Sequence, residues 1–519
     1  MPIRAPGFDE SKSLAGKANE MSRQSEVIFG LKDVGIIRKK NISIILGASF
    51  LILLLVSTAY FIARILPSEA INSVTEQSET DSIGIMTMGA AGEASAVEYY
   101  VSPQGKDANP GTMNAPLASI QKAIELVKPG GSVILLEGVY HQTVSIEKSG
   151  SSDQGYISLR SAKGHTAVMD GKGVQPVENG VIHIDNASYV RVEGVEIRHY
   201  DTSSADVTPI GIHVSGSGRN IEIIGNRVHD MGTHAGQKAG GGNAHGIAVY
   251  GNSAAPLKQI AITQNELYNL KLGASEAMAI NGNVDGFRVT KNHVHHNNNI
   301  GVDIIGFEGT GPNPVLDQAR NGVIQENQVY SNSSYGNPAY GNDYSAAGIY
   351  VDGGKDIKII DNDIHDNDFG IELASEHAGG STSNVEVSLN RIYNNSAAGI
   401  TLGGYDEDRG RTENCIIKEN EFTENNTKHL GYGEINLAFD TRNNEMRYNS
   451  IKANEDGLMI TNEFTQNEGN IVDFNHYSSK NQSLWIWKGE EYDDFSAYRT
   501  QTGNDLHSDL NLERITSSL

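Results

Sequence analysis

A single cysteine, Cys415, stands in 519 residues, so no disulfide can form within the chain. Packing and hydrogen bonds must hold the fold together, and Cys415 itself is expected in the core or a turn. Basic residues are short as well: 40 Lys and Arg face 64 Asp and Glu, for a net charge of −24. That balance excludes a nucleic-acid surface, which needs a basic stripe. A polyanionic ligand would require a local cationic patch or a bound divalent ion. Long apolar runs are almost absent. The exception is residues 42–63, 22 residues without a charge, which at 1.5 Å per residue reach about 33 Å and can cross a bilayer.

What the chain does have is 57 glycines and a recurring asparagine. Asn-x-aliphatic or aromatic appears at Asn226, Asn265, Asn292, Asn327, Asn362, Asn390, Asn420, Asn449 and Asn475, in steps of 26 to 39 residues. A period of this size marks a solenoid, and the uneven steps mark loops of unequal length on a constant core. Each repeat is too short and too rich in Gly, Asn and Ser for a helix pair. It reads as short Val/Ile/Tyr-alternating strands broken by turns, which is an all-β parallel solenoid. The repeated Asn is expected in the left-handed conformation at one turn, each bonded to the next in a ladder of about 4.8 Å per rung.

A second column runs in register. Gly-aliphatic-x-aliphatic follows several of these asparagines by eight or nine residues, as in Gly301-Val302-Asp303-Ile304, Gly370-Ile371-Glu372-Leu373, Gly399-Ile400-Thr401-Leu402 and Gly457-Leu458-Met459-Ile460. The same block stands at Gly211, Gly246 and Gly348. Period-two alternation sends the aliphatics inward and the middle residue outward. His213, Ala248, Ala279, Asp303, Tyr350, Glu372 and Thr401 are therefore expected along one external face.

The domain plan follows: a cytoplasmic tail over 1–40, a transmembrane helix over 41–64, a polar stalk over 65–97, the parallel β-helix over 98–478 and a C-terminal cap over 479–519. Arg38, Lys39 and Lys40 before the apolar run keep the N-terminus inside and the solenoid outside, anchored as a single-pass membrane protein. The rival is a cleaved signal peptide, with Ser68-Glu69-Ala70 resembling a cleavage site, which would release the protein. Residues 118–128 carry helical spacing at Ile120, Ala123, Ile124 and Val127 and are expected to cap the open end ahead of strands at 133–136, 144–146 and 157–159. After Tyr477 the Asn period is lost and both tryptophans, Trp485 and Trp487, occur, which reads as the opposite cap. The histidines three residues after the ladder Asn (His229, His295, His365) are expected to stack or bond to turns rather than to bind metal.

The Asn-to-Gly step lengthens to 20 residues before Gly246 and 21 before Gly348. Two insertions, 231–245 and 331–347, therefore leave one turn, and 306–321 and 403–414 are further excursions. Such loops are where binding sites are built on a rigid scaffold, so they should wall a groove over Asp303, Tyr350 and Glu372. On successive coils, neighbours stand about 5 Å apart and Asp303 to Glu372 about 10 Å. Asp352 and Arg320 are expected within reach, and exclusion of water is expected to shift Tyr350 toward use as a base. Two chemistries suit carboxylates and a tyrosine along a linear polymer. One is β-elimination on a uronate chain, with its carboxylate neutralised by a cation; the other is hydrolysis or epimerisation with paired carboxylates. A non-catalytic polysaccharide-binding surface is the third reading.

The opening YYVSPQGKDANPGTMNAPLASIQKAIELVKPGGSVILLEGVY and the repeats over about 99–477 resemble bacterial right-handed parallel β-helix proteins, closest to polysaccharide lyase family nine. The resemblance implies a right-handed coil, cleavage of pectate-type polysaccharide and a calcium cofactor. The family's calcium motif Asp-Asp-Gly-x-Asp corresponds to Asn299-Ile300-Gly301-Val302-Asp303. This implies Asp303 as a ligand, Asn299 as a neutral one and Glu276 one coil upstream. The family's catalytic lysine falls at Tyr350, so a tyrosine base helped by a cation such as Arg320 is implied instead. A polysaccharide partner and a monomer are expected.

Overall fold

The computed structural model describes residues 97–512, apart from Glu178 and Asn481. The tail, the segment 41–64 and the stalk up to residue 96 lie outside the described residues. Among those described, no helix is long and apolar enough to cross a membrane.

Strands of two to eight residues, many followed by a residue in left-handed backbone, give a coil rather than a hairpin. One turn of it runs Val284–Thr290, His293–His295, Val302–Ile305 and returns as Arg320–Gln325 beside Val284–Thr290. Repeated, this produces one sheet of fifteen strands and two of thirteen, besides a two-stranded pair. The chain is thus the parallel β-helix expected. Among the described residues, strand-to-strand pairing is parallel except for the terminal Leu484–Trp487 with Glu490–Tyr492; isolated antiparallel bridges occur only in the connecting loops and at strand ends.

The aliphatic column holds. Ile212, Ile247, Met278, Val302, Ile349, Ile371 and Ile400 are consecutive partners, and all are fully buried. Each such side chain contributes about 1.5–3 kcal/mol by leaving water. One block is displaced. Ile460 pairs with Ile435 and Thr461 with Asn436, so Thr461, not Met459, takes the outward position. The strand Leu458–Asn462 also carries a pairing irregularity between Leu458 and Ile460 on its other side, against Leu484–Trp487.

The Asn ladder also holds, with a correction to its backbone. From Asn226 to Asn475, each ladder Asn gives its main-chain N–H and its Nδ2 to Oδ1 of the next; Asn327, for example, reaches Asn362 Oδ1 at 3.0 and 2.9 Å. The left-handed residue is the one before: Gln264, Lys291, Glu326, Asp361, Leu389 and their equivalents have φ between 55 and 63°. That residue turns the corner, which lets the following Asn aim its amide into the turn. A second ladder, Asn297–Asn332–Asn367–Asn395–Asn425, lies at the next corner. Its signal was in the chain, since each member follows a first-ladder Asn by five residues.

The second ladder ends on Glu434, whose carboxylate accepts from Asn425 N and Nδ2 at 2.9 and 2.6 Å. Burial raises the Glu434 carboxyl from 4.5 to about 8. The folded chain then holds a proton that the unfolded chain releases, so this residue's contribution is full below about pH 4.5 and lost as pH rises through about 8. Glu434→Gln should flatten the fall of unfolding temperature between pH 5 and 8. Parallel curves for parent and variant would place that titration elsewhere.

The ends are closed as the helical spacing required. Ser119 caps Ile120–Leu126, accepting from Lys122 N at 3.1 Å, and Ile120, Ala123, Ile124 and Val127 are buried. At the other end Trp485 is buried against Tyr477, Phe495 and Tyr498. Cys415 is buried, its thiol pushed up to about 12. Outside one sheet, His229, Tyr268, His295, Tyr330, His365 and Tyr393 stack with centroids 4.7–5.3 Å apart, the role expected of the histidines.

Candidate active site

The outward row of the sheet containing Val302–Ile305 reads His183, His213, Ala248, Ala279, Asp303, Tyr350, Glu372, Thr401. Asp303, Tyr350 and Glu372 therefore sit on adjacent rungs. The row is roofed rather than open: Asp303 and Tyr350 are only 3 % and 4 % exposed, and Ala248 and Ala279 are fully covered. Glu372 alone of the three stays half-buried.

Loops leave both edges of this sheet, 231–245 and 331–347 at one and 306–319 and 403–411 at the other. Buried Asp368 organises the long one. Its carboxylate accepts from the Ser333 and Ser334 hydroxyls and from Ser334, Ser345 and Ala346 N–H at 2.6–3.0 Å. Asn337 in turn donates to the carbonyls of Gly273 and Asn298. Asp368 was not among the expected residues, although it directly follows the second-ladder Asn367. In the loop 306–319, Asp317 accepts from Gly309 and Gly311 N–H at 2.6 Å, a turn-forming role. Phe307 from the same loop lies where a side chain at Gly353 would have to sit, its nearest ring carbon 2.7 Å from a Cβ there.

Charge of one sign collects under this roof. Burial, followed by Glu276, Asp352, Glu308 and Glu376, holds the Asp303 carboxyl well above the usual range. Burial and Glu376 raise Glu372 to about 8. Tyr350 packs with Ile300, Ala346, Ala347 and Ala374. Burial, then Asp352, Glu372, Glu376 and Asp303, push its hydroxyl well above 10. This corrects the expectation of a tyrosine shifted toward base use: an apolar wall and four carboxylates all oppose the phenolate.

The expected residues divide. Asp352 joins the cluster, its Oδ1 accepting from Glu376 N at 2.7 Å. Glu276 faces it too, with Oε2 3.7 Å from Nδ1 of His245. That imidazole is pressed down to about 4 by burial and is neutral. Asn299 turns its amide onto the carbonyls of Gly273 and Ser275, bracing the turn before Glu276. Arg320 is not brought to the row. It lies on another sheet, bonded to Asn283 Oδ1 at 3.1 Å and paired with Asp285 at 3.6 Å. The guanidinium beside the cluster is Arg409, which donates to Glu376 O and lies over the Tyr405 ring. Distance along the sequence hid this, since Arg409 comes from a loop two coils on.

Among the described residues, the His, Cys, Asp and Glu atoms close enough to share an ion belong to Glu308, Asp352 and His377, all within 4.8 Å of one another. Calcium takes six to eight oxygens. A set that includes an imidazole nitrogen suits zinc or manganese better.

Three parallel sheets with an acidic row under long loops define a pectate-lyase-like β-helix protein. Residues 99–287 match the Pel9A-like, right handed beta helix region, which also gives the coil its hand. The chain is 44 % identical over 420 residues to the uncharacterized protein YwoF of Bacillus subtilis, covering 80 % of this chain and 88 % of that one, and belongs to its family. Over 115 residues it is 32 % identical to pectate lyase PEL9 of Emericella nidulans, covering 20 % of this chain and 28 % of that protein. A GH136 lacto-N-biosidase from Eubacterium ramulus shares the fold, with a TM-score of 0.50, 15 % identity and coverage of 80 % and 68 %.

Proposed function

We propose that this chain cleaves an anionic, uronate-containing polysaccharide at the mouth of the roofed row, with Glu372 as proton donor to the departing glycosidic oxygen. The observation that carries this is Glu372 itself: of Asp303, Tyr350 and Glu372 it is the one that is only partly buried, and it holds its proton to about pH 8. A carboxylic acid kept neutral near physiological pH is what general-acid catalysis requires. Tyr432 lies close enough for the Glu372 charge to act on its hydroxyl, and it packs edge-on to Phe369 at 5.4 Å, so apolar ring faces flank the acid. Protonation also reduces the repulsion an anionic chain would meet in a protein of this net charge.

β-Elimination is the preferred chemistry because two relatives matched over shorter stretches are named as a pectate lyase and a pectate disaccharide-lyase. In it a water molecule takes the C5 proton as the C5–H and C4–O bonds break and a C4–C5 double bond forms; the leaving oxygen takes the Glu372 proton, which solvent then restores. Hydrolysis is the second reading. Asp303 and Glu372 are two rungs apart, so roughly 10 Å separates their strands, close to the 6.5–9.5 Å carboxyl spacing of inverting enzymes. Incubating the full chain with pectate, alginate and related uronates separates the two. Unsaturated products absorbing in the ultraviolet are expected; new reducing ends without that absorbance would indicate hydrolysis, and neither product would leave a binding protein. Export through a retained anchor at 41–64 is part of the proposal. Membrane fractions should hold the full-length protein until detergent or cleavage within 65–97 releases it, whereas a mature N-terminus at Ile71 would show signal cleavage instead.

A further inference from the structure

We propose that Glu308, Asp352 and His377 bind a first-row divalent cation of the zinc or manganese type, with Asp303 and Asn281 completing its surroundings. The site shares only Asp303 with the calcium set implied by the Asn299–Asp303 stretch: its three ligands lie at or just beyond the ends of three successive strands, Val302–Ile305, Ala347–Asp352 and Phe369–Ala374. His377 Nε2 stands 3.9 Å from Glu308 Oε1, and the three donor atoms fall within 4.8 Å of one another. Ligands of one ion at about 2.1 Å lie roughly 3.0–3.5 Å apart, so the set needs to close by about 1 Å.

Two buried oxygens point to a missing positive charge. Asp303 is 3 % exposed, and its Oδ1 has no hydrogen-bond donor. Asn281 is 4 % exposed, gives its Nδ2 to Glu308 Oε2 at 3.0 Å, and its Oδ1 likewise has no donor. Buried acceptors without donors are costly, and a buried carboxylate more so. Asp303 also feels Glu276, Asp352, Glu308 and Glu376 at once. Arg409, the guanidinium beside the cluster, is committed to Glu376 O and to Asp406 at 3.6 Å. A bound divalent ion would offset the crowding that protons otherwise relieve. An imidazole with two carboxylates, plus a neutral amide oxygen, is a donor set that suits zinc or manganese rather than an oxygen cage for calcium.

The test is metal binding, independent of any polysaccharide. The full chain in detergent, stripped with chelator and dialysed, would be titrated calorimetrically with Zn²⁺, Mn²⁺ and Ca²⁺. One equivalent of Zn²⁺ or Mn²⁺ should bind at least tenfold more tightly than Ca²⁺. His377→Ala, in a loop, should weaken that binding at least tenfold while the circular dichroism and unfolding temperature of the metal-free protein stay unchanged. Co²⁺ loading supplies a second readout, because its visible spectrum should shift on loss of the nitrogen ligand. The proposal is overturned if no stoichiometric binding occurs, if Ca²⁺ binds as tightly, or if His377→Ala binds like the parent with an unchanged Co²⁺ spectrum.

Discussion

Glu372→Gln is expected to lower kcat on the cleaved polysaccharide by about 10²–10⁴-fold, the usual share of a general acid, with KM little changed. The amide matches the shape of the protonated carboxyl and can still donate a hydrogen bond, so binding survives while proton transfer is lost. The pH profile carries a second check. The parent should lose activity as pH rises past about 8, where Glu372 ionises, and the residual activity of the variant should lack that limb. Tyr350→Phe should be milder. Its ring packs with Ile300 and Ala374, and its hydroxyl stays protonated, so the change removes a hydrogen-bond donor and not a base. A Tyr350→Phe variant as inactive as Glu372→Gln would restore the tyrosine to the centre of the chemistry. A Glu372→Gln variant cleaving like the parent would remove Glu372 from it.

The largest effect on stability is expected from the middle of the first ladder. Asn362 Oδ1 accepts from Asn327 N and Nδ2, and its own Nδ2 reaches the carbonyls of Ile324 and Ile360 and the next Asn. Asn362→Ala removes five side-chain hydrogen bonds, taking the acceptor from the buried Asn327 N–H and from one Asn327 Nδ2 hydrogen and a donor from the Ile324 carbonyl; at about 1–3 kcal/mol for each of these three, the loss is roughly 3–6 kcal/mol. Asn362→Asp keeps the acceptor but sets a second oxygen against the Ile324 carbonyl and Asn390 Oδ1. It should be as damaging at neutral pH and recover part of the loss on acidification, when the carboxyl can donate. Equilibrium unfolding in denaturant measures both. A loss below 1 kcal/mol for the alanine variant would mean that water replaces the amide and that the ladder is not a stabilising element.

The period of Asn and of Gly-aliphatic-x-aliphatic determined, before any coordinates, that the chain coils, which residues fill the core and that Asp303, Tyr350 and Glu372 share one face. These are local properties: strand alternation is set by backbone geometry, and a corner repeated in sequence stacks in space. The capping helix within 118–128 was legible from its own local spacing. Tertiary structure alone decided which groups crowd that face and what state they take. Arg320 and Arg409 look equivalent along the chain, but they occupy different sheets because a solenoid distributes consecutive turns around its circumference. Glu308 and His377 carry no repeat signal, since loops of unequal length bring them beside Asp352. The protonation of Glu372 and the neutral Tyr350 follow from burial and from the charges of neighbouring coils, and those depend on three-dimensional distance, which the spacing of residues in the chain does not record.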